Sequence, residues 1–108
     1  MLLYRAISYA ELQDILATNI LRPGWPSFQG KWFAESALDA ACWGRRLALL
    51  TGGDPFHVIE VEVDDTVATT WFRLPNLDAI GPARYAEIPD LPAIRLVREV
   101  VPIPVSPP

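Results

Sequence analysis

Three groups of side chains in this sequence could do chemistry together. A Tyr4-Arg5 dipeptide closes a short apolar run, an aromatic pair Trp32-Phe33 stands just before a helix signal, and a stretch rich in Pro, Asn and Gly carries Asp78 and leads to Glu87. Arginine grips phosphate with a planar fork, an aromatic face accepts a flat cationic ring, and a carboxylate stabilises positive charge as it develops. Those are the needs of a dinucleotide with a cationic nicotinamide. Each residue also has a structural role open to it. Arg5 is either a phosphate ligand or a strand-end arginine paired with Glu62 or Glu87. Trp32 is either a stacking surface or, like Trp43, a core aromatic, and Asp78 either meets a ligand or caps a turn after Asn76.

Other constellations are missing. No Gly-rich phosphate loop precedes a helix, and no Ser/His/Asp order of the hydrolase type occurs. One His and one Cys exclude a Cys/His zinc cage, and a lone Cys42 excludes an internal disulfide, so a site is expected to be metal-free or carboxylate-based. Cys42 falls on the inner stripe of a predicted helix, where a buried inert thiol is expected rather than a nucleophile. His57 alternates with Ile59 and Val61 and reads as a satisfied core or edge histidine. Glu60 and Glu62 share one strand face, either as an acid/base pair or as a solvated rim.

The elements that position these residues follow from pattern. Residues 2–7 read as a short buried strand, and Ser8-x-x-Glu11 is a capping box that starts a helix ending near Thr18-Asn19, with Leu12, Ile15 and Leu16 on its inner face. Residues 22–30 form a loop whose Trp25 and Phe28 either plug the core or line a cleft. A strand at 31–34 leads to Ser36 as N-cap, with Asp39 at the positive end of a second helix over 37–50. Leu38, Ala41, Cys42 and Leu49 mark its inner stripe, and Gly52-Gly53 stops it. Strict alternation over 56–63 predicts a strand, and 66–72 a second one, paired with it as a hairpin. Residues 73–83 are expected to be a long ordered loop, followed by strands at 85–88 and 94–101. Helices in the first half and strands in the second give an α+β fold with a mostly antiparallel sheet.

At 108 residues with 51% of them hydrophobic, the chain is long and apolar enough for one domain, expected over 1–101, with a Pro-rich tail at 102–108. A net charge of −4 disfavours general nucleic-acid binding and an anionic membrane surface. No apolar run has membrane length and no signal-peptide pattern opens the chain, so the default compartment is the cytoplasm. A domain delivered at the end of a larger secreted protein would instead act in a target cell.

The segments Tyr4-Arg5-Ala6-Ile7-Ser8, Lys31-Trp32-Phe33-Ala34-Glu35-Ser36 and Leu38-Asp39-Ala40-Ala41-Cys42-Trp43-Gly44 resemble the opening of small ADP-ribosyltransferase-like domains. The helix LDAACWGRRLA, the strand HVIEVEV and the later ARYAEIPDLPAIRLVREV are nearest to rifampicin-modifying ADP-ribosyltransferases, and similar pieces occur in toxin domains at the ends of bacterial secreted proteins. The resemblance spans roughly residues 3–101. It implies a split, mostly antiparallel sheet with two helices in the N-terminal half, NAD as the bound dinucleotide, and transfer of ADP-ribose to an acceptor the sequence does not name.

By the same resemblance Arg5 takes the first-motif place that holds the dinucleotide's ribose or phosphate. Tyr4, Trp32, Phe33 and Ser36 fall among the cofactor-binding positions. Trp32 or Phe33 stands near a nicotinamide-stacking tyrosine, and Ala34-Glu35-Ser36 stands where some members have Ser-Thr-Ser. The third motif departs from the family: Arg84 precedes Tyr85 where many members have the catalytic Glu, which leaves Asp78 or Glu87 as the carboxylate. The family implies an NAD-dependent transferase or glycohydrolase, with a cognate inhibitor as partner if it is a toxin. The departures point instead to a catalytically silent binding module of the same fold. A small RNA-cutting toxin is disfavoured by the acidic charge and the lack of a His/Lys/Arg cluster.

Overall fold

The computed structural model describes residues 1–24 and 29–100. Strand β1 (Leu2–Ile7) passes through Ser8 into helix α1 (Tyr9–Thr18). The Ser8 hydroxyl accepts the Glu11 N–H at 3.2 Å, which is half of the expected capping box, but the Glu11 side chain turns elsewhere. Asn19, at φ 59°, ends the helix by donating its N–H to the Ile15 carbonyl. Strand β2 (Gly30–Ala34) is followed by helix α2 (Ala37–Leu50), where Ser36 caps through the Asp39 N–H. Gly52 and Gly53, both at positive φ, carry the chain away from α2 toward β3 (His57–Glu62).

The second half then departs from the expected order. Instead of the strand and hairpin expected at 66–72, Asp65–Ala68 forms a short helix, α3, and among the described residues β3 pairs with β1 and with the strand at Arg95–Val100. The β-branched run is a weak strand signal here because Thr69 and Thr70 turn their hydroxyls back onto the Asp65 and Val67 carbonyls, and Trp71 drops into the core. The expected long loop at 73–83 is also absent. Strands β4 (Phe72–Leu77) and β5 (Gly81–Glu87) form a hairpin, turning through Asp78 and Ala79 at φ 55° and 59°. Pro75 suggested a loop, yet β4 lies at the edge of the sheet, where a residue without an N–H is tolerated. A 3-10 turn (Ile88–Ala93) leads to β6 (Arg95–Val100).

The result is an α+β fold built on one six-stranded sheet, ordered β4-β5-β2-β1-β3-β6, with every neighbouring pair antiparallel. One face carries the larger core. Leu3, Ile7, Phe33, Ile59, Val61 and Val63 pack there with Leu12 and Ile15 of α1, Leu21, Trp71, Leu91 and Ile94. The other face packs Tyr4, Ala34 and Val58 against Ala40, Ala41 and Trp43 of α2.

Two expected stripes need correction. Leu16 of α1 is exposed, and in α2 it is Ala40 and Gly44 that are buried, while Leu38 and Leu49 face solvent. A side chain on Gly44 would run into the Phe56 ring, so α2 presents its small residues to the layer beneath and turns its leucines outward. Trp25, Phe28 and the Pro-rich tail lie outside the described residues.

Gly30 is similarly constrained, since a Cβ there would collide with the Ala86 carbonyl and come 2.7 Å from the Tyr85 ring. The carbonyl belongs to the β2–β5 ladder and cannot move aside. Gly30→Ala is expected to destabilise the fold by about 1–3 kcal/mol, the usual cost of overpacking, read as a lower urea midpoint with unchanged slope.

Candidate functional site

β1 pairs with β3 from Leu2↔Glu62 to Ile7↔His57, and β2 pairs with β5 from Gly30↔Glu87 to Ala34↔Ala83. Between β1 and β2, the two strands at the middle of the sheet, the register holds a single pair, Tyr4↔Ala34. Beyond it a side chain takes over from the backbone ladder. The Arg5 guanidinium donates through Nη1 to the Trp32 carbonyl at 3.2 Å, crossing the seam.

Alternation along β1 puts Arg5 on the α1 side with Leu3 and Ile7, and Lys31 reaches the same side from β2, with Phe33. Glu11 is the third residue of α1, so the first turn of the helix holds it over both cations. Its carboxylate accepts Arg5 Nε at 2.9 Å on Oε2 and Arg5 Nη2 at 3.2 Å on Oε1, a forked pairing, while Lys31 Nζ stands 3.3 Å from Oε2. The side chains are sheltered: Arg5 is 12% exposed, Glu11 16% and Lys31 2%.

Burial opposes the charge on Glu11, but Arg5 and Lys31 outweigh it and hold the carboxyl below its ordinary range. Lys31 moves the other way for its type. Burial, and then the nearby Arg5, push its ammonium below the usual lysine range against the pull of Glu11. Beside this triad lies a pocket of about 440 Å³, lined by Ser8, Ala10, Glu11, Asp14, Arg22, Pro23, Gly24 and Lys31. Arg22 and Asp14 form an ion pair at its edge.

The other expected site residues are dispersed. Tyr4 lies on the opposite face, where its hydroxyl donates to Glu60 Oε1 at 2.9 Å. Trp32 shares that face, its ring 4.9 Å from Tyr85 and 6.2 Å from Phe72 between centroids. Phe33 is sealed in the larger core against Trp71, and Ser36 is spent as the cap of α2. Asp78 is exposed in the β4–β5 turn and offers Arg46 its backbone carbonyl at 2.9 Å. Glu87, opposite Gly30 and in step with Tyr85, projects to the α2 side and is exposed. Arg5, Asp78 and Glu87 therefore do not converge.

The alternative partners also resolve. Arg5 is bound to Glu11, not to Glu62 or Glu87, and Glu62 holds Arg95 at 2.7 Å. Glu60 is not on a solvated rim; it is buried between Tyr4 and Arg98. His57 is an edge histidine facing Glu99 at 2.9 Å, and Cys42 is half-buried rather than buried, with Arg45 Nη2 3.3 Å from its sulfur. Sequence reading misses Lys31 and the true work of Glu11. The available signal is a lysine inside the otherwise apolar strand Gly30–Ala34, which demands a partner on burial.

Among the described residues no helix is long and apolar enough to cross a membrane, and no three His, Cys, Asp or Glu side chains gather to hold a metal ion. No family model, curated protein or solved structure matches the chain.

Removing the Glu11 charge leaves two sheltered cations without their carboxylate, so Glu11→Gln is expected to cost about 3 kcal/mol, the lower end for breaking a buried ionic cluster. Because the folded-state pKa of Glu11 is depressed, its contribution is complete above the ordinary carboxylate range and is lost as pH falls through the folded value. Urea midpoints measured from pH 6 down to pH 3 are expected to fall more steeply for the wild type than for Glu11→Gln.

Proposed function

We propose that this chain is an ADP-ribosyltransferase-like domain, its sheet split between β1 and β2, that binds NAD beside Arg5 and transfers ADP-ribose to an acceptor. The observation that carries this proposal is the seam. The two central strands share one registered pair, and the arginine expected from the first motif crosses the opening and is held by Glu11, which lines a pocket. The pocket volume falls within the ~300–1,000 Å³ usual for small-molecule sites. Its cations, Lys31 and Arg22, suit phosphate, and Arg5 adds positive charge behind Glu11. Glu11 holds Arg5 in orientation.

In the reaction the nicotinamide–ribose C–N bond breaks with its electron pair leaving on nicotinamide, and an acceptor oxygen or nitrogen, or water, bonds to the ribose carbon and gives up its proton. The chain's part is to grip the phosphates and exclude bulk water from the breaking bond. In a toxin setting, such an enzyme calls for a cognate inhibitor in the cell that makes it.

A second reading, a catalytically silent binding module of the same fold, is favoured by one specific observation. Neither Asp78 nor Glu87 shares the face of Arg5. Nicotinamide release from NAD by the purified chain separates the two. The enzyme is expected to release nicotinamide, and Arg5→Lys, which keeps the charge but loses the fork, to reduce release about tenfold or more per folded molecule, the folded fraction being measured by circular dichroism. Asp78→Asn and Glu87→Gln, assayed separately, report whether either carboxylate takes part. NAD bound without release identifies the silent module, and a folded chain that neither binds nor cleaves NAD overturns both.

A further inference from the structure

We propose that the pocket beside α1 is an oxyanion site in which the Lys31 ammonium holds a phosphate group. Lys31 is the only lysine of the chain, and its side chain is 2% exposed. A lysine is almost never buried unless it is fully paired, because desolvating an ammonium is costly. Here the pairing falls short. The nearest carboxylate oxygen, Glu11 Oε2 at 3.3 Å, already accepts Arg5 Nε at 2.9 Å, and the second Glu11 oxygen accepts Arg5 Nη2.

Two cations thus share one carboxylate, and the triad carries one excess positive charge in a sheltered setting. The ammonium has three N–H donors, and Glu11 is the carboxylate within ion-pair distance of them, with Asp14 on the same pocket wall adding a longer-range attraction. The pocket lies on this side, and Arg22 on its wall is balanced by Asp14, so that pair leaves the excess uncorrected. One phosphate oxygen would supply both the missing charge and the missing acceptors. The inference holds for a free phosphate or for one within a nucleotide. Where the dinucleotide proposal is right, the group is one of NAD's own phosphates, and in that case alone does the inference rest on it.

The test is titration of the full chain with inorganic pyrophosphate, ADP-ribose and adenosine by calorimetry, repeated on Lys31→Met and Arg22→Gln, with folding checked by circular dichroism. Expected are binding of pyrophosphate and ADP-ribose but not adenosine, weakening about tenfold or more in Lys31→Met for loss of a charge-assisted contact, and a smaller loss in Arg22→Gln. If Lys31→Met does not fold, the inference stands or falls on wild-type binding and on Arg22→Gln, an exposed residue at the pocket wall.

ADP-ribose much tighter than pyrophosphate marks a nucleotide as the source, and equal affinities mark a free phosphate. A folded wild type that binds neither at millimolar concentration, or a Lys31→Met that binds both unchanged, overturns the site. Pyrophosphate binding without NAD binding would leave the site standing and remove NAD. Nicotinamide release that pyrophosphate cannot inhibit would do the reverse.

Discussion

The ion cluster of Glu11 with Arg5 and Lys31 is the contact on which the middle of this molecule depends. It joins β1, β2 and the first turn of α1, where the backbone ladder gives β1 and β2 a single registered pair. Without it β1 would belong to β3 and β6, β2 to β5 and β4, and the two halves would meet through one registered pair and their shared core. Side chains do here what main-chain hydrogen bonds do elsewhere in the sheet. That exchange concentrates charge beside the pocket that α1, residues 22–24 and Lys31 enclose.

The same arrangement explains why β1 is read so easily and the site so poorly. Ser8 and Ser36 announce the starts of α1 and α2 because capping is local chemistry, decided by a hydroxyl and an amide three residues on. The alternation of β3 survives because both of its faces are covered by different layers. Residues 65–83 mislead for the opposite reason. Thr, Val and Trp look like a strand until Trp71 is drawn into the core, and Pro75 looks like a loop until the edge position of β4 makes its missing N–H harmless. In α2 four leucines face outward while Ala40 and Gly44 are buried, which inverts the usual reading of an apolar stripe.

At the site, sequence places Arg5 correctly on the central strand but cannot supply its partner. Glu11 satisfies a capping-box pattern and is accounted for locally, whereas its carboxylate is used across the fold. Trp32 and Phe33 are adjacent and look equivalent, yet the strand's alternation sends one to a half-open aromatic cluster and the other into the core. Asp78 and Glu87 stand at opposite ends of β5, which no spacing in the chain reveals until the hairpin is known.

Lys31 has a consequence outside binding. With every other side-chain cation an arginine, the folded surface offers almost no ε-amine to a conjugating enzyme or an acylating reagent. Bulky lysine-directed chemistry finds its target only when β2 and α1 come apart, so such a modification would record each lifting of α1 from the sheet at a single position.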